Sequence, residues 1–251
     1  EEHLVKNPVM ILPVGSTEQH GFHLPLGTDT ILAKALARMV APRINSLIIP
    51  ALYYGYSWVW HKIPGTITLE QEHFKTVLKD IAKSVETYGT KLLIIINGHD
   101  ANNQSLKYTV REMKYQTDMK ILYFFYPNFS EIYKKYCESE IQNGLFHAEE
   151  FETSLMLAEN DSLVDMTKAV KEYPDYPPLY SHTSEILGDI SKSGVFGDAT
   201  AAGKEKGQKR TGSFRSSDAP DRSLFSTLTV TICTASPPAS LMGLRMNHVL
   251  T

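Results

Sequence analysis

Only two of the 251 residues are cysteine, Cys137 and Cys233. That is too few for a disulfide framework or a thiolate zinc site, and it suits a reducing compartment. Any metal would therefore need histidine and carboxylate ligands. Charge of one sign is also lacking, since 25 basic and 28 acidic residues leave a net charge of −3. No global field recruits nucleic acid or an anionic membrane. No uninterrupted apolar run approaches the roughly 18 residues that a membrane span needs. The expectation is a cytoplasmic protein with neither a nucleic-acid nor a membrane partner. A composition of 42% hydrophobic and 21% charged residues excludes wholesale disorder, and the length suits a single domain.

What is present alternates. Val9 to Val14, Leu47 to Ile49, Leu92 to Ile96 and Ile121 to Phe125 are short, nearly continuous apolar runs. Such runs suit strands buried on both faces of a parallel sheet. Between them, Leu32, Leu36 and Met39, then Phe74, Val77, Leu78, Ile81 and Val85, then Leu106, Val110 and Met113 recur at helical spacing. The pattern predicts an α/β fold, a mostly parallel sheet flanked by helices on both faces. Gly89 reads as the end of one helix and Asn102 or Asn103 as the cap of the next.

From Asp161 to Ser193 the periodicity weakens around Pro174, Pro177 and Pro178, which predicts a surface excursion with short helices. Beyond residue 207 the chain changes character. Thr211 to Ser240 holds 12 serines or threonines in 30 residues. Leu224 to Ile232 reads equally as an edge strand or as part of a low-complexity tail. The expected organisation is a domain over 1–207 and a Ser/Thr-rich segment over 208–251.

Chemistry-bearing residues cluster where strands end. Gly15-Ser16-Thr17-Glu18-Gln19-His20-Gly21 and the following stretch to Asp29 lie between a predicted strand and a predicted helix. Functional loops collect beyond the carboxyl ends of parallel strands. Glu18, His20 and Asp29 are metal-ligand types. Asn97-Gly98-His99 follows another strand, so His99 faces the first cluster if the two strands are neighbours. A third cluster, His147 with Glu149, Glu150 and Glu152, opens a helix. Each has a plainer reading: Asp29 as a helix cap, His99 as a turn residue, the three glutamates as complements to a helix dipole.

The sequence Gly-Ser-Thr-Glu-Gln-His-Gly, followed by His-Leu-Pro-Leu and Thr28-Asp29, resembles the signature of the creatininase (creatinine amidohydrolase) family. Tyr54-Gly55 with His61 and Pro64-Gly65-Thr66, Asn97-Gly98-His99, His147 with Glu152-Thr153-Ser154, and Ser193 to Asp198 resemble it too. The resemblance covers residues 9–207. It implies a metal-dependent amidohydrolase acting on carbon–nitrogen bonds, with two divalent ions per chain, zinc or else manganese or iron, and assembly as a homo-oligomer, commonly a hexamer. By position, it implies that Glu18 and His99 hold one ion, that His20 holds the other, and that Asp29 bridges them. Creatininase itself has a further ligand glutamate at the position of Ala101; this departure shifts the fifth ligand to Glu152. His147 matches the family's catalytic histidine, and Glu150 is a secondary proton-transfer candidate.

The function implied is hydrolysis of a non-peptide C–N bond in a small cyclic amide or formamide by a metal-bridged water. The alternatives are a peptidase-like member that trims a modified peptide, and a non-catalytic metal-binding assembly protein. Residues 123–146, which precede the catalytic histidine, contain no tryptophan, and a member other than creatininase itself is expected. Trp58 and Trp60 line the pocket mouth or serve as surface or core aromatics. Glu149, standing where the family has glycine, adds negative charge and argues for a neutral or cationic substrate.

Overall fold

A computed structural model describes residues 2–127 and 129–215. In chain order the elements are α1 (Glu2–Lys6), β1 (Val9–Val14), α2 (Thr28–Val40), β2 (Leu47–Ile48), α3 (Gln71–Thr87), β3 (Leu92–Asn97), α4 (Asn102–Met113), β4 (Lys120–Phe125), α5 (Phe129–Tyr136), α6 (Glu150–Asn160), β5 (Lys171–Glu172), α7 (Leu187–Ile190), β6 (Gly197–Asp198) and α8 (Lys204–Arg215). The main sheet has the order β2-β1-β3-β4 and every pairing is parallel.

Strand alternation divides the core into two layers. Val9 and Ile11 of β1 and Leu92, Ile94 and Ile96 of β3 pack against α2 and α6. Met10, Leu12 and Val14, with Leu93 and Ile95, pack against α3 and α4. Both central strands are therefore covered on both faces, which is why they read as unbroken apolar runs. β2 differs from expectation: as the edge strand paired only with β1, its Leu47 and Ile48 are 38% and 39% exposed.

β1 connects outward to β2, while β3 connects outward to β4, so the order reverses between β1 and β3. At such a switch point the loops leaving the two carboxyl ends diverge and leave a crevice. The expected helices form, although Ala82 of α3 enters the core while Val77 and Ile81 sit half-buried. Gly89 takes a left-handed backbone (φ 91°) after α3, as expected of a residue that ends a helix. The residue before α4 is Ala101, and Asn102 does not cap it. Its amide donates to Gly15 O (3.0 Å) and Asn97 Oδ1 (3.2 Å) and accepts from Tyr56 N (2.9 Å), fastening three loops together.

Residues 161–193 form the expected excursion of short helical turns, with β5 returning to pair antiparallel with β6. Residue 207, the expected domain boundary, falls inside α8, where a Cβ on Gly207 would collide with Ser154 O of α6. Cys233 and the candidate strand Leu224 to Ile232 lie outside the described residues.

The crevice is closed at its base by close backbone approach. A Cβ on Gly98 would collide with the carbonyl of Asp29. Gly98→Ala is therefore expected to lower the unfolding free energy by about 2 kcal/mol, as for an overpacked core position. Chemical denaturation checks this, and an unchanged midpoint would contradict it.

Candidate metal centre

The crevice gathers residues from three loops. Glu18 and His20 come from the loop after β1, Asp29 from the first turn of α2, His99 from the loop after β3, and His147 and Glu152 from the start of α6. All six are buried. Asp29 is the second residue of α2 and makes no capping bond, so the plainer reading of it does not apply. Ala148, between His147 and Glu149, takes a left-handed backbone (φ 50°), at a cost of about 1 kcal/mol for a residue with a Cβ. This turn presents its N–H to Glu152 Oε2 at 2.7 Å.

Ligand-type atoms converge in three overlapping groups, each within 4.8 Å: Glu18, Asp29 and His99; His20, Asp29 and Glu152; and Glu18, His20 and His147. The two Asp29 oxygens face different histidines, Oδ1 at 3.0 Å from His20 Nε2 and Oδ2 at 3.1 Å from His99 Nδ1. His99 Nδ1 is also 3.3 Å from Glu18 Oε1. Even so, both Glu18 carboxylate oxygens and Asp29 Oδ2 are buried without an aligned hydrogen-bond donor.

Each histidine spends its other nitrogen on a backbone carbonyl. His20 Nδ1 donates to Glu18 O (3.2 Å), His99 Nε2 to Tyr56 O (2.9 Å) and His147 Nε2 to Gln19 O (2.9 Å). A carbonyl only accepts, so the tautomer is fixed and the lone pair of the remaining nitrogen turns inward. This is the usual outer support of metal-binding histidines. Among the described residues no lysine or arginine lines the chamber. The orphaned carboxylate oxygens and inward lone pairs fit a divalent cation with oxygen and imidazole ligands.

Without an ion, protons take up the charge. Burial alone would lower the His20 pKa, but Asp29 and the other carboxylates lift it to about 9. His99, likewise buried, is raised well above the usual value by Glu18 and Asp29. Burial would raise Glu18 and Asp29, yet the facing histidines hold both below the ordinary carboxylate range. Glu152 is pushed up by burial to about 8, against the opposing effect of His20. Burial and the neighbouring His20 push His147 down to about 4, which leaves its ring neutral.

The chamber above these groups is about 140 Å³. Trp60 is 1% exposed and stacks on His147 at 4.8 Å. Trp58, at 42% exposed, stacks on His61 outside. Phe125, Leu145, Phe146 and Leu187 complete the apolar wall. His147 is clamped further by backbone bonds to Phe196, with Phe196 N donating to His147 O at 2.9 Å.

Two expectations shift. Glu150 is not part of this group: Oε2 accepts from the backbones of Glu138 and Ser139 (both 2.7 Å), and Oε1 accepts from Lys206 Nζ (2.6 Å). Its carboxylate braces the chain before α6. Glu149 does not line the chamber either; it caps α6 through Phe151 N and accepts from Tyr133 Oη. Its charge does not face the chamber directly and acts there through Glu152, whose pKa it helps to raise. Sequence reasoning missed the carbonyls of Gln19 and Tyr56, which leave no trace in residue type. It also missed Tyr126, whose hydroxyl is buried without a partner just beyond β4.

Residues 1–214 match the family model Creatininase, described as creatinine amidohydrolase. The creatinine amidohydrolase of Pseudomonas putida is 32% identical over 215 residues, 80% of this chain and 83% of its own. The mycofactocin precursor peptide peptidase of Mycobacterium ulcerans (strain Agy99) is 30% identical over 213 residues, 80% and 79% respectively. A crystal structure of creatinine amidohydrolase superposes with a TM-score of 0.72 at 29% identity, covering 83% of this chain and 86% of that one. A creatininase variant described as Zn-Zn type gives 0.72 at 30% identity over 83% and 87%, and similar solved structures include creatininase with Mn.

Metal loading must displace the protons on His20, His99 and, at neutral pH, most of that on Glu152. Zinc added to the metal-free protein at pH 7.5 is expected to release nearly three protons per chain, roughly one from each of these groups. Because the bound form needs neutral rings and an ionised Glu152, apparent affinity should rise with pH through the Glu152 value of about 8 and the His20 value of about 9. Titration calorimetry in buffers of different ionisation enthalpy measures both; zinc binding without proton release would contradict the ligand set.

Proposed function

The chain belongs to the creatininase family of metal-dependent amidohydrolases, and from that membership we propose that it hydrolyses a non-peptide C–N bond in a small cyclic amide or formamide. The observation that carries the reading is the convergence of three buried carboxylates with three histidines whose outer nitrogens are already bonded to carbonyls. Two divalent ions, zinc or else manganese or iron, are assigned to it. Glu18 and His99 would hold one, His20 and Glu152 the other, and Asp29 both. Bound there, the ions supply a water activated at neutral pH and polarise the amide carbonyl.

The remaining roles belong to the protein. His147 is the proton carrier. Its Nε2 is committed to Gln19 O, so Nδ1, 3.7 Å from Glu18 Oε1, is the atom that receives a proton and passes it to the leaving nitrogen. Trp60 holds the His147 ring in plane by stacking and forms one wall for a flat substrate group. Phe125, Phe146 and Leu145 exclude bulk water, which strengthens the electrostatics within. Water is consumed and the C–N bond breaks, which gives a single ring-opened product bearing a carboxylate and a nitrogen group from a cyclic amide, or formate and an amine from a formamide.

Peptide trimming is the second reading, favoured by the 30% identity to the mycofactocin precursor peptide peptidase. Cytoplasmic location and assembly as a homo-oligomer, a hexamer in form, are carried with either reading. A non-catalytic metal-binding role is the third, and mutagenesis separates it. Asp29→Ala is expected to take the metal content from two ions per chain to none; retention of two would sink the bridging assignment. His147→Ala should keep both ions and lose roughly 10²–10⁴-fold in kcat, whereas an unchanged rate would indicate a structural metal. A screen of creatinine, hydantoin-like rings, formamidopyrimidines and short peptides decides the substrate class. Failure with all of them would overturn the hydrolase assignment.

A further inference from the structure

We propose that the substrate bears an uncharged aryl or alkyl arm that lies in a second cavity beside the chamber. This rests on the amide-hydrolase reading of the inner chamber.

The second cavity holds about 570 Å³, against about 140 Å³ for the chamber. Leu145 and Leu187 line both, so the two cavities adjoin across these apolar side chains. Cavities that enclose ligands of moderate size run from about 300 to 1,000 Å³. The chamber alone falls below that range and accommodates an amide head; the outer cavity falls within it and accommodates whatever the head is attached to.

The chemistry of the outer wall is specific. Among the described residues no aspartate, glutamate, lysine or arginine lines it, so a charged arm would find no counter-charge there. Tyr176 meets Tyr180 edge to face at 5.1 Å and Phe196 at 6.1 Å. Phe196 in turn meets Trp60 at 5.8 Å, and Trp60 stacks on His147. A continuous run of rings thus leads from the outer cavity to the proposed proton carrier. Such a run favours a flat or branched apolar group.

The Tyr176 hydroxyl is buried and offers the cavity no donor, so that side chain meets the arm through its ring. Ser181 Oγ already pairs with His182 Nδ1 at 3.0 Å. The arm is therefore held by apolar contact.

Hydantoin and 5-benzylhydantoin test this, because the scissile ring is constant and only the arm changes. With the metal-loaded full chain, kcat/KM is expected to rise about 10-fold or more on adding the benzyl group, mainly through KM. Tyr180→Ala should collapse the benzyl preference. Leu179→Ser, at a cavity-lining position that is 73% exposed, should weaken it and keeps the test usable if Tyr180→Ala fails to fold. Equal or lower kcat/KM for the armed ring would overturn the proposal. If neither ring is opened, the hydrolase reading of these rings fails and binding decides the arm. Calorimetry should then show 5-benzylhydantoin binding about 10-fold or more tighter than hydantoin, with the difference reduced in Leu179→Ser and Tyr180→Ala; equal affinities would overturn it.

Discussion

Glu18, Asp29 and Glu152 share one buried cluster in which histidines are the cationic partners, because among the described residues no lysine or arginine lines the chamber. Burying carboxylates without compensation is among the most expensive things a fold can do. The arrangement is tolerable only with protons on His20, His99 and Glu152 or with cations between the ligands. Protons are a weak substitute: they leave both Glu18 oxygens and Asp29 Oδ2 without aligned donors. The site is thus built around positive charge that its own histidines supply only in part.

The rest of the molecule can be understood as what holds that cluster in place. The switch in strand order between β1 and β3 opens the crevice, and Gly98 lets the β3 loop lie directly on the backbone of Asp29. Asn102 ties the loops after β1 and β2 to the end of β3. Carbonyls of Glu18, Tyr56 and Gln19 fix the three imidazoles. Glu150 and Lys206 brace the segment that delivers His147. Two-sided burial of β1 and β3 makes the platform rigid, which a metal site with short bonds to several elements requires.

Much of this was legible in the sequence because buried parallel strands are continuous apolar runs, and the ligand-type residues stand at their ends. Glu18, His20, Asp29 and His99 could be picked out on those grounds, His147 and Glu152 stood in a third cluster at a helix start, and the likeness to a family implied which role each takes. Glu150 could not be separated from Glu152 by type. Two positions apart on a helix lie about 200° apart around its axis, and only the packing of α6 decides which one faces the crevice. The same limit applies to Trp58 and Trp60, of which the structure turns one outward and one onto His147. The outer cavity was not legible at all, since residues 174–187 have no periodicity from which Tyr176 and Tyr180 could be placed. Carbonyl partners of the histidines are invisible for a simpler reason: every residue has one.

Whether the cluster is a two-cation site is measured most directly by anomalous scattering from crystals grown with zinc or manganese. The account predicts two peaks per chain that share Asp29, one also contacting Glu18 and His99 and the other His20 and Glu152. A single peak, or metal bound away from Asp29, would contradict it.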